Sequence, residues 1–221
     1  MISFCKFKIA LESDRNPLIT GNLEVHYVPE NATVDTPEKR PAIANYITLN
    51  GAQLTTNDLV NLSKGGTFIR LSPDSLEKVQ KSRAMLERIL TENTVVYGVN
   101  TGFGKFATTL IKGEDLIDLQ YNLIRSHSAG VGNPLSPRRT RMLLALRINV
   151  LAKGYSGISQ ETLLQLIDAF NASCLSWVPE KGTVGASGDL APLAHLALGL
   201  IGEGRMWSPE SGWSDAKCKL I

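Results

Sequence analysis

The chain has 221 residues, 43% hydrophobic and 20% charged, with 19 glycines and 10 prolines; that composition excludes disordered and collagen-like classes and leaves enough chain to bury a core. Lys+Arg at 23 against Asp+Glu at 21 leave a net charge of +2, so neither nucleic acid nor anionic lipid is implied as a partner. The three cysteines, Cys5, Cys174 and Cys218, form no C-x-x-C pair, which points away from zinc or a redox dithiol and toward a reducing compartment.

Residues 1–45 read as an extension of short strands at 4–9 and 23–28 followed by the proline-punctuated linker 29–41. The first ten residues mix lysines among apolar side chains and lack the continuous apolar core of a secretory signal. The longest apolar stretch, 190–201, is interrupted by His195 and is too short to span a bilayer. A cytoplasmic protein without a membrane segment is expected.

The main domain is expected over 46–221. Residues 46–51 read as a strand entering a turn, with Thr55 or Thr56 capping a short helix over 57–63, and from there the chain is predicted to be helical. Ser72-Pro73-Asp74 supplies a cap, a first-position proline and a first-turn acid, and Leu76, Val79, Met85, Leu86 and Ile89 extend a helix to about residue 90. Further helices are predicted over 114–127, from Ser136-Pro137 to Gly154, over 159–173, and over 189–201. The last is almost wholly apolar and is expected to be fully buried. Together they describe a mainly α protein, part of a large helical bundle. No closing element is evident after Trp207 and Trp213, so the bundle reads as unfinished.

Three segments carry candidate chemistry. Tyr97-Gly-Val-Asn-Thr-Gly-Phe-Gly104 is a glycine-rich loop. It fits a relaxed dinucleotide pattern at Gly102, Gly104 and Ala107, but no βαβ alternation surrounds it and Phe106 stands where a P-loop needs Ser or Thr. A flexible loop needing glycine dihedrals is one reading, and a tyrosine able to move into a site is the other. Arg125-Ser-His-Ser-Ala-Gly-Val-Gly132 ends a helix with Ser126 and His127, where the imidazole suits either the helix dipole or a pocket. His195, inside the apolar helix, reads as a hydrogen-bonded core histidine, and His26 as a surface residue.

The third segment is Gly182-Thr-Val-Gly-Ala-Ser-Gly-Asp-Leu-Ala-Pro-Leu-Ala-His195. Ser187 as a hydrolase nucleophile misses the G-x-S-x-G elbow by one position. A glycine turn capped by Asp189 is a second reading. Backbone chemistry is a third: the Gly188 nitrogen can attack the Ala186 carbonyl carbon with loss of one water, and Ser187 can lose its hydroxyl as another. The product is a five-membered imidazolone with an exocyclic methylidene, an electrophile that no ordinary side chain provides. No metal ligand set is evident.

On these three segments, and on Leu143-Leu-Ala-Leu-Arg-Ile-Asn-Val-Leu-Ala-Lys-Gly-Tyr-Ser-Gly157, the chain resembles the aromatic amino acid lyase family from about Tyr46 onward, nearest to its histidine-acting members. The resemblance implies the N-terminal portion of a large fumarase/aspartase-like helical bundle, a homotetramer with sites shared between subunits. It also implies 4-methylideneimidazol-5-one (MIO) made from Ala186, Ser187 and Gly188, and conversion of L-histidine to trans-urocanate and ammonia. Tyr97 then matches the loop tyrosine that takes the substrate's β-proton, a role that requires nearby positive potential to favour phenolate. Ser126-His127 matches the pair that meets the substrate ring, apolar in phenylalanine enzymes and His-Leu-like in tyrosine enzymes, and Asp189 supports the cyclising turn. Family subunits are more than twice as long and bring a second tyrosine loop, a carboxylate-binding arginine and a late glutamate. The 221 residues alone are therefore expected to be incomplete as an enzyme. The alternatives are a silent fragment that associates with full-length subunits, and a lyase acting on tyrosine or phenylalanine.

Overall fold

The computed structural model describes residues 45–219. The strands expected at 4–9 and 23–28, the linker, Cys5 and His26 lie outside the described residues.

The first described unit is β-α-β. Strand β1 (Asn45–Leu49) leads through helix α1 (Thr56–Lys64) to strand β2 (Thr67–Leu71), and the two strands pair in parallel from Asn45↔Thr67 to Leu49↔Leu71. Thr55 is the cap: the Asp58 N–H donates to Thr55 Oγ1 at 3.1 Å and the Thr55 N–H to Asp58 Oδ2 at 3.0 Å, a reciprocal box that satisfies two donors the helix start leaves unpaired. β2 corrects the expectation of unbroken helix from residue 57. Gly65 and Gly66, at φ 83° and 74°, end α1 in the left-handed region, and the Thr-Phe-Ile-Arg-Leu run that follows is extended.

The predicted long helices are present with small shifts at their ends. They are α2 (Pro73–Thr91), α3 (Leu116–His127) after a single 3₁₀ turn at Gly113–Asp115, α4 (Pro137–Leu151), α5 (Gln160–Asn171) and α6 (Leu190–Leu200). Ser72, Ser136 and Ser159 each accept an N–H from three residues onward, those of Ser75, Arg139 and Thr162, which is why these starts were readable locally. The core lies around α4 and α5. Leu144, Ala145, Ile148 and Leu151 of α4 pack with Leu163, Leu166, Ile167 and Phe170 of α5, and Leu49, Leu62, Ile69, Val79 and Leu196 converge on them. Asn171, at the end of α5, closes the edge of β2: its Oδ1 accepts the Ile69 N–H at 2.8 Å and its Nδ2 donates to the Ile69 carbonyl at 3.0 Å.

Two small sheets, absent from the sequence reading, organise the second half. Strand β3 (Val131–Pro134) pairs antiparallel with β5 (Pro179–Lys181), while β4 (Leu175–Ser176) pairs with β6 (Arg205–Ser208), which forms a hairpin with β7 (Gly212–Asp215). Trp207 and Trp213 face each other across that hairpin, which joins β4 in a three-stranded sheet. Trp213 also meets Trp177 edge-on at 4.9 Å between centroids.

Helix α6 packs against α3 and β4. Gly199 permits this: a Cβ there would collide with the Ser176 side chain, whose Oγ donates to the Leu196 carbonyl at 2.7 Å. The expectation that α6 is fully buried is corrected in part. Ala191, Ala194, Leu196, Ala197 and Gly199 are buried, while Leu193, His195 and Leu198 are half-buried. Its apolar surface exceeds what one side facing α3 and β4 covers.

Candidate functional site

Ala186-Ser187-Gly188 stands in the loop joining β5 to α6, and residues 181–189 are all exposed. Gly185 and Gly188 adopt φ of 73° and 94°, values that side chains with a Cβ strongly disfavour, so the loop doubles back on either side of Ser187. Ala186 and Gly188 face each other across Ser187 in an isolated bridge. Apart from the adjoining residues, no atom lies within 4 Å of where a Gly188 Cβ would stand. The tight approach that cyclisation between Ala186 and Gly188 demands is therefore compatible with the backbone as it stands.

Thr183 ties the two sides of this loop together. Its Oγ1 accepts the Gly185 N–H at 3.1 Å and donates toward Asp189 Oδ1 at 3.2 Å, with the Gly188 carbonyl at 3.5 Å. Asp189 occupies the cap position of α6, but its carboxylate makes no side-chain cap bond, so the capping role read from the sequence is not realised. The Thr183 hydroxyl competes for the carboxylate. Neither Thr183 nor this competition was anticipated, because a threonine six residues from an aspartate matches no local capping pattern. The hydrolase reading finds no support either: the bonds recorded for the two described histidines go to Leu123, Ser126 and Gly130, not to Ser187.

Ser126 and His127 close α3. His127 Nδ1 lies 2.9 Å from the Leu123 carbonyl and 3.0 Å from Ser126 Oγ, which itself donates to the same carbonyl at 3.1 Å. A carbonyl only accepts, so Nδ1 carries the proton and Nε2 keeps its lone pair in the neutral ring. The helix-end role is thus realised through Nδ1, and Nε2 is left as an acceptor. His127 is half-buried and Ser126 exposed.

Tyr97 is 59% exposed in a turn after α2, with its ring edge-on to Phe103 at 6.0 Å. The loop beneath it is held, not loose. Asn100 is 3% exposed, accepts the Val96 N–H at 2.9 Å and donates to the Thr94 carbonyl at 2.9 Å, while fully buried Thr101 pairs with Leu110. These two polar residues were missed in the sequence; an Asn followed by Thr within a glycine-rich run is the signal that could have found them. No hydrogen bond among the described residues joins Tyr97 to Ser126, His127 or residues 186–188.

The second and third segments are brought together through Gly130. Its N–H donates to His195 Nε2 at 3.0 Å, joining the chain just beyond His127 to helix α6 just beyond Gly188. Burial holds the His195 imidazole below its ordinary pKa and so favours the neutral ring this bond needs. Among the described residues no three His, Cys, Asp or Glu side chains are grouped as metal ligands, and no helix is long and apolar enough to cross a membrane.

Known proteins match over the same span. The family described as aromatic amino acid lyase matches residues 54–217. A histidine ammonia-lyase from Mus musculus is 70% identical over 175 residues, covering 79% of this chain and 27% of the relative. One from Caenorhabditis elegans is 58% identical over 172 residues, covering 78% and 25%. The crystal structure of histidine ammonia-lyase from Trypanosoma cruzi superposes with a TM-score of 0.74 at 45% identity, covering 79% of this chain and 33% of that one. The chain thus spans about a quarter to a third of the length of these relatives.

Proposed function

The chain belongs to the aromatic amino acid lyase family, and from that membership we propose that it is the electrophile-bearing part of a histidine ammonia-lyase, which converts L-histidine to trans-urocanate and ammonia. The observation that carries this reading is the paired turn at Ala186-Ser187-Gly188, with glycine dihedrals on both sides and Thr183 clamping its ends.

These three residues suit MIO. The Gly188 nitrogen joins the Ala186 carbonyl carbon with loss of one water, and Ser187 gives up its hydroxyl as the second. Once formed, the group supplies an electrophilic methylidene carbon that no unmodified side chain offers. The protein's own residues do the rest. Tyr97, on a supported loop with its ring exposed, takes the β-proton. His127 Nε2 accepts from the imidazole N–H of the substrate, and Ser126, bonded to the same Leu123 carbonyl, sets the His127 ring orientation. A phenyl ring would leave that acceptor unpaired, which favours histidine over phenylalanine. Asp189, through Thr183, steadies the turn. Assembly as a homotetramer and a cytoplasmic location accompany this reading.

Intact-mass measurement of the purified 221-residue chain tests it. The expected result is a loss of two waters mapped by fragmentation to residues 186–188, abolished in Ser187→Ala. An unmodified wild-type mass refutes the assignment of the electrophile to this chain.

A further inference from the structure

Three parts of the chain distant in sequence meet at one backbone position, Gly130. His195 Nε2 accepts the Gly130 N–H at 3.0 Å. A Cβ on Gly130 would stand 3.1 Å from that nitrogen, 3.2 Å from His195 Cδ2 and 3.1 Å from Pro179 Cβ, so the approach is available to glycine and tight for anything larger. A Cβ on Gly182 would stand 3.1 Å from Gly130 Cα and 3.1 Å from Ala191 Cβ. Gly182 and Ala191 are the two feet of the exposed loop that carries Ala186, Ser187 and Gly188. Gly130 therefore lies against Gly182, which in turn meets Ala191, and its own chain runs back in three residues to His127. Ala191 and His195 are four residues apart on α6 and so share one face of the helix.

We propose that His195 is a positioning residue: by gripping Gly130 it sets the place of the Ser126–His127 pair relative to Ala186-Ser187-Gly188. The inference rests on the proposed lyase site, because it gives the spacing between ring recognition and electrophile its purpose. The loop over 183–189 is exposed throughout and has no core packing of its own, so its feet decide where it stands. Other ties bridge the same parts beside the packing of α6 on α3. Arg125 grips Glu203 through both Nε and Nη2, but this ion pair fixes a side chain at residue 125 and does not reach Gly130. The β3–β5 ladder shifts register between Val131 and Pro134, so it fixes the strand without fixing Gly130. The His195 bond is the one directed at the residue that lies against Gly182, the first foot of the loop. An N–H donor requires a lone pair on Nε2, so the ring must be the Nδ1–H tautomer.

The test uses nitrogen-15 NMR on the whole chain, whose three histidines His26, His127 and His195 give few ring signals to assign. The expected result is an Nδ1–H tautomer at His195 and a protected Gly130 amide. His195→Leu keeps bulk without an acceptor; it should raise Gly130 exchange about tenfold and move the His127 ring signals. His195→Gln, which offers an amide oxygen, should restore both. Gly130→Ala, pressing a Cβ onto Nε2 from the other side, should move His127 in the same way and serves where His195→Leu does not fold. An unprotected Gly130 amide in the wild type, unmoved His127 signals in His195→Leu, or no rescue by glutamine overturns the proposal. Intact mass of the same samples separates the two readings: an unmodified wild type with the Gly130 lock present defeats the electrophile assignment alone, and two waters lost without the lock defeats the positioning role alone.

Discussion

Replacing Arg141 by leucine removes a buried cation whose hydrogen-bond partners are all neutral. The side chain is 4% exposed. Nε donates to the Leu62 carbonyl at 2.8 Å, Nη1 to the Phe170 carbonyl at 2.9 Å and to Ser173 Oγ at 2.7 Å, and Nη2 to the Thr67 carbonyl at 3.3 Å. The guanidinium also lies 4.0 Å from the Phe170 ring centroid. Leu62 and Phe170 sit in the last turns of α1 and α5, whose carbonyls carry the negative end of the helix dipole. Two helix ends thus do for this charge what a carboxylate does elsewhere, and although burial lowers its pKa, a guanidinium remains protonated. Leucine leaves the Leu62 carbonyl without the donor it had, about 1–3 kcal/mol, whereas the Phe170 carbonyl keeps the Ser173 N–H at 3.0 Å. Part of that is offset because no cation need be desolvated, while the lost ring contact with Phe170 adds to it, for a net loss of about 1–3 kcal/mol. Set against a domain stability of about 5–15 kcal/mol, urea unfolding followed by far-UV circular dichroism should show a midpoint lower by about 0.5–1.5 M. Arg141→Lys should fall between, since an ammonium cannot span these acceptors in one plane. An Arg141→Leu protein within about 0.5 kcal/mol of wild type would refute the argument that this cation joins α1, β2 and α5.

Gly199→Ala should destabilise by about 1–3 kcal/mol through overpacking, measured by the same unfolding assay, because its Cβ collides with the Ser176 side chain and displaces the Ser176–Leu196 bond. Thr183→Val should slow the loss of water from residues 186–188 in a mass time course, whereas Thr183→Ser should retain it, because only the hydroxyl links Gly185 to Asp189. Burial keeps the folded-state pKa of His195 below its ordinary 6.5. On acidification the unfolded chain therefore takes up this proton first, and stability present above pH 6.5 falls as pH drops below it. A pH series of urea midpoints should show a shallower acid slope in His195→Gln, and equal slopes would show that the buried ring does not contribute.

The helices were legible in the sequence because their signals act over a few residues. Ser72, Ser136 and Ser159 each cap an N–H three positions away, and a helix bonds each residue to one four positions back, so start, period and stop all lie within a short window. The Ala186-Ser187-Gly188 segment was legible for the same reason, since the constraints that permit a tight turn belong to the glycines beside it. Folding decided what depends on residues far apart. β2 pairs with a strand 22 positions earlier, as the registers Asn45↔Thr67 and Leu49↔Leu71 show, and β6 joins β4, 32 positions earlier, at Leu175↔Trp207. Asp189 lost its capping role to a Thr183 hydroxyl that the turn brought round to it. His195, read as a hydrogen-bonded core histidine, is bonded but only half-buried, and its partner is Gly130, 65 positions away. Local hydrogen bonding selects helices and turns from a short window, whereas strand pairing and close backbone approach exist only after distant segments have been brought together.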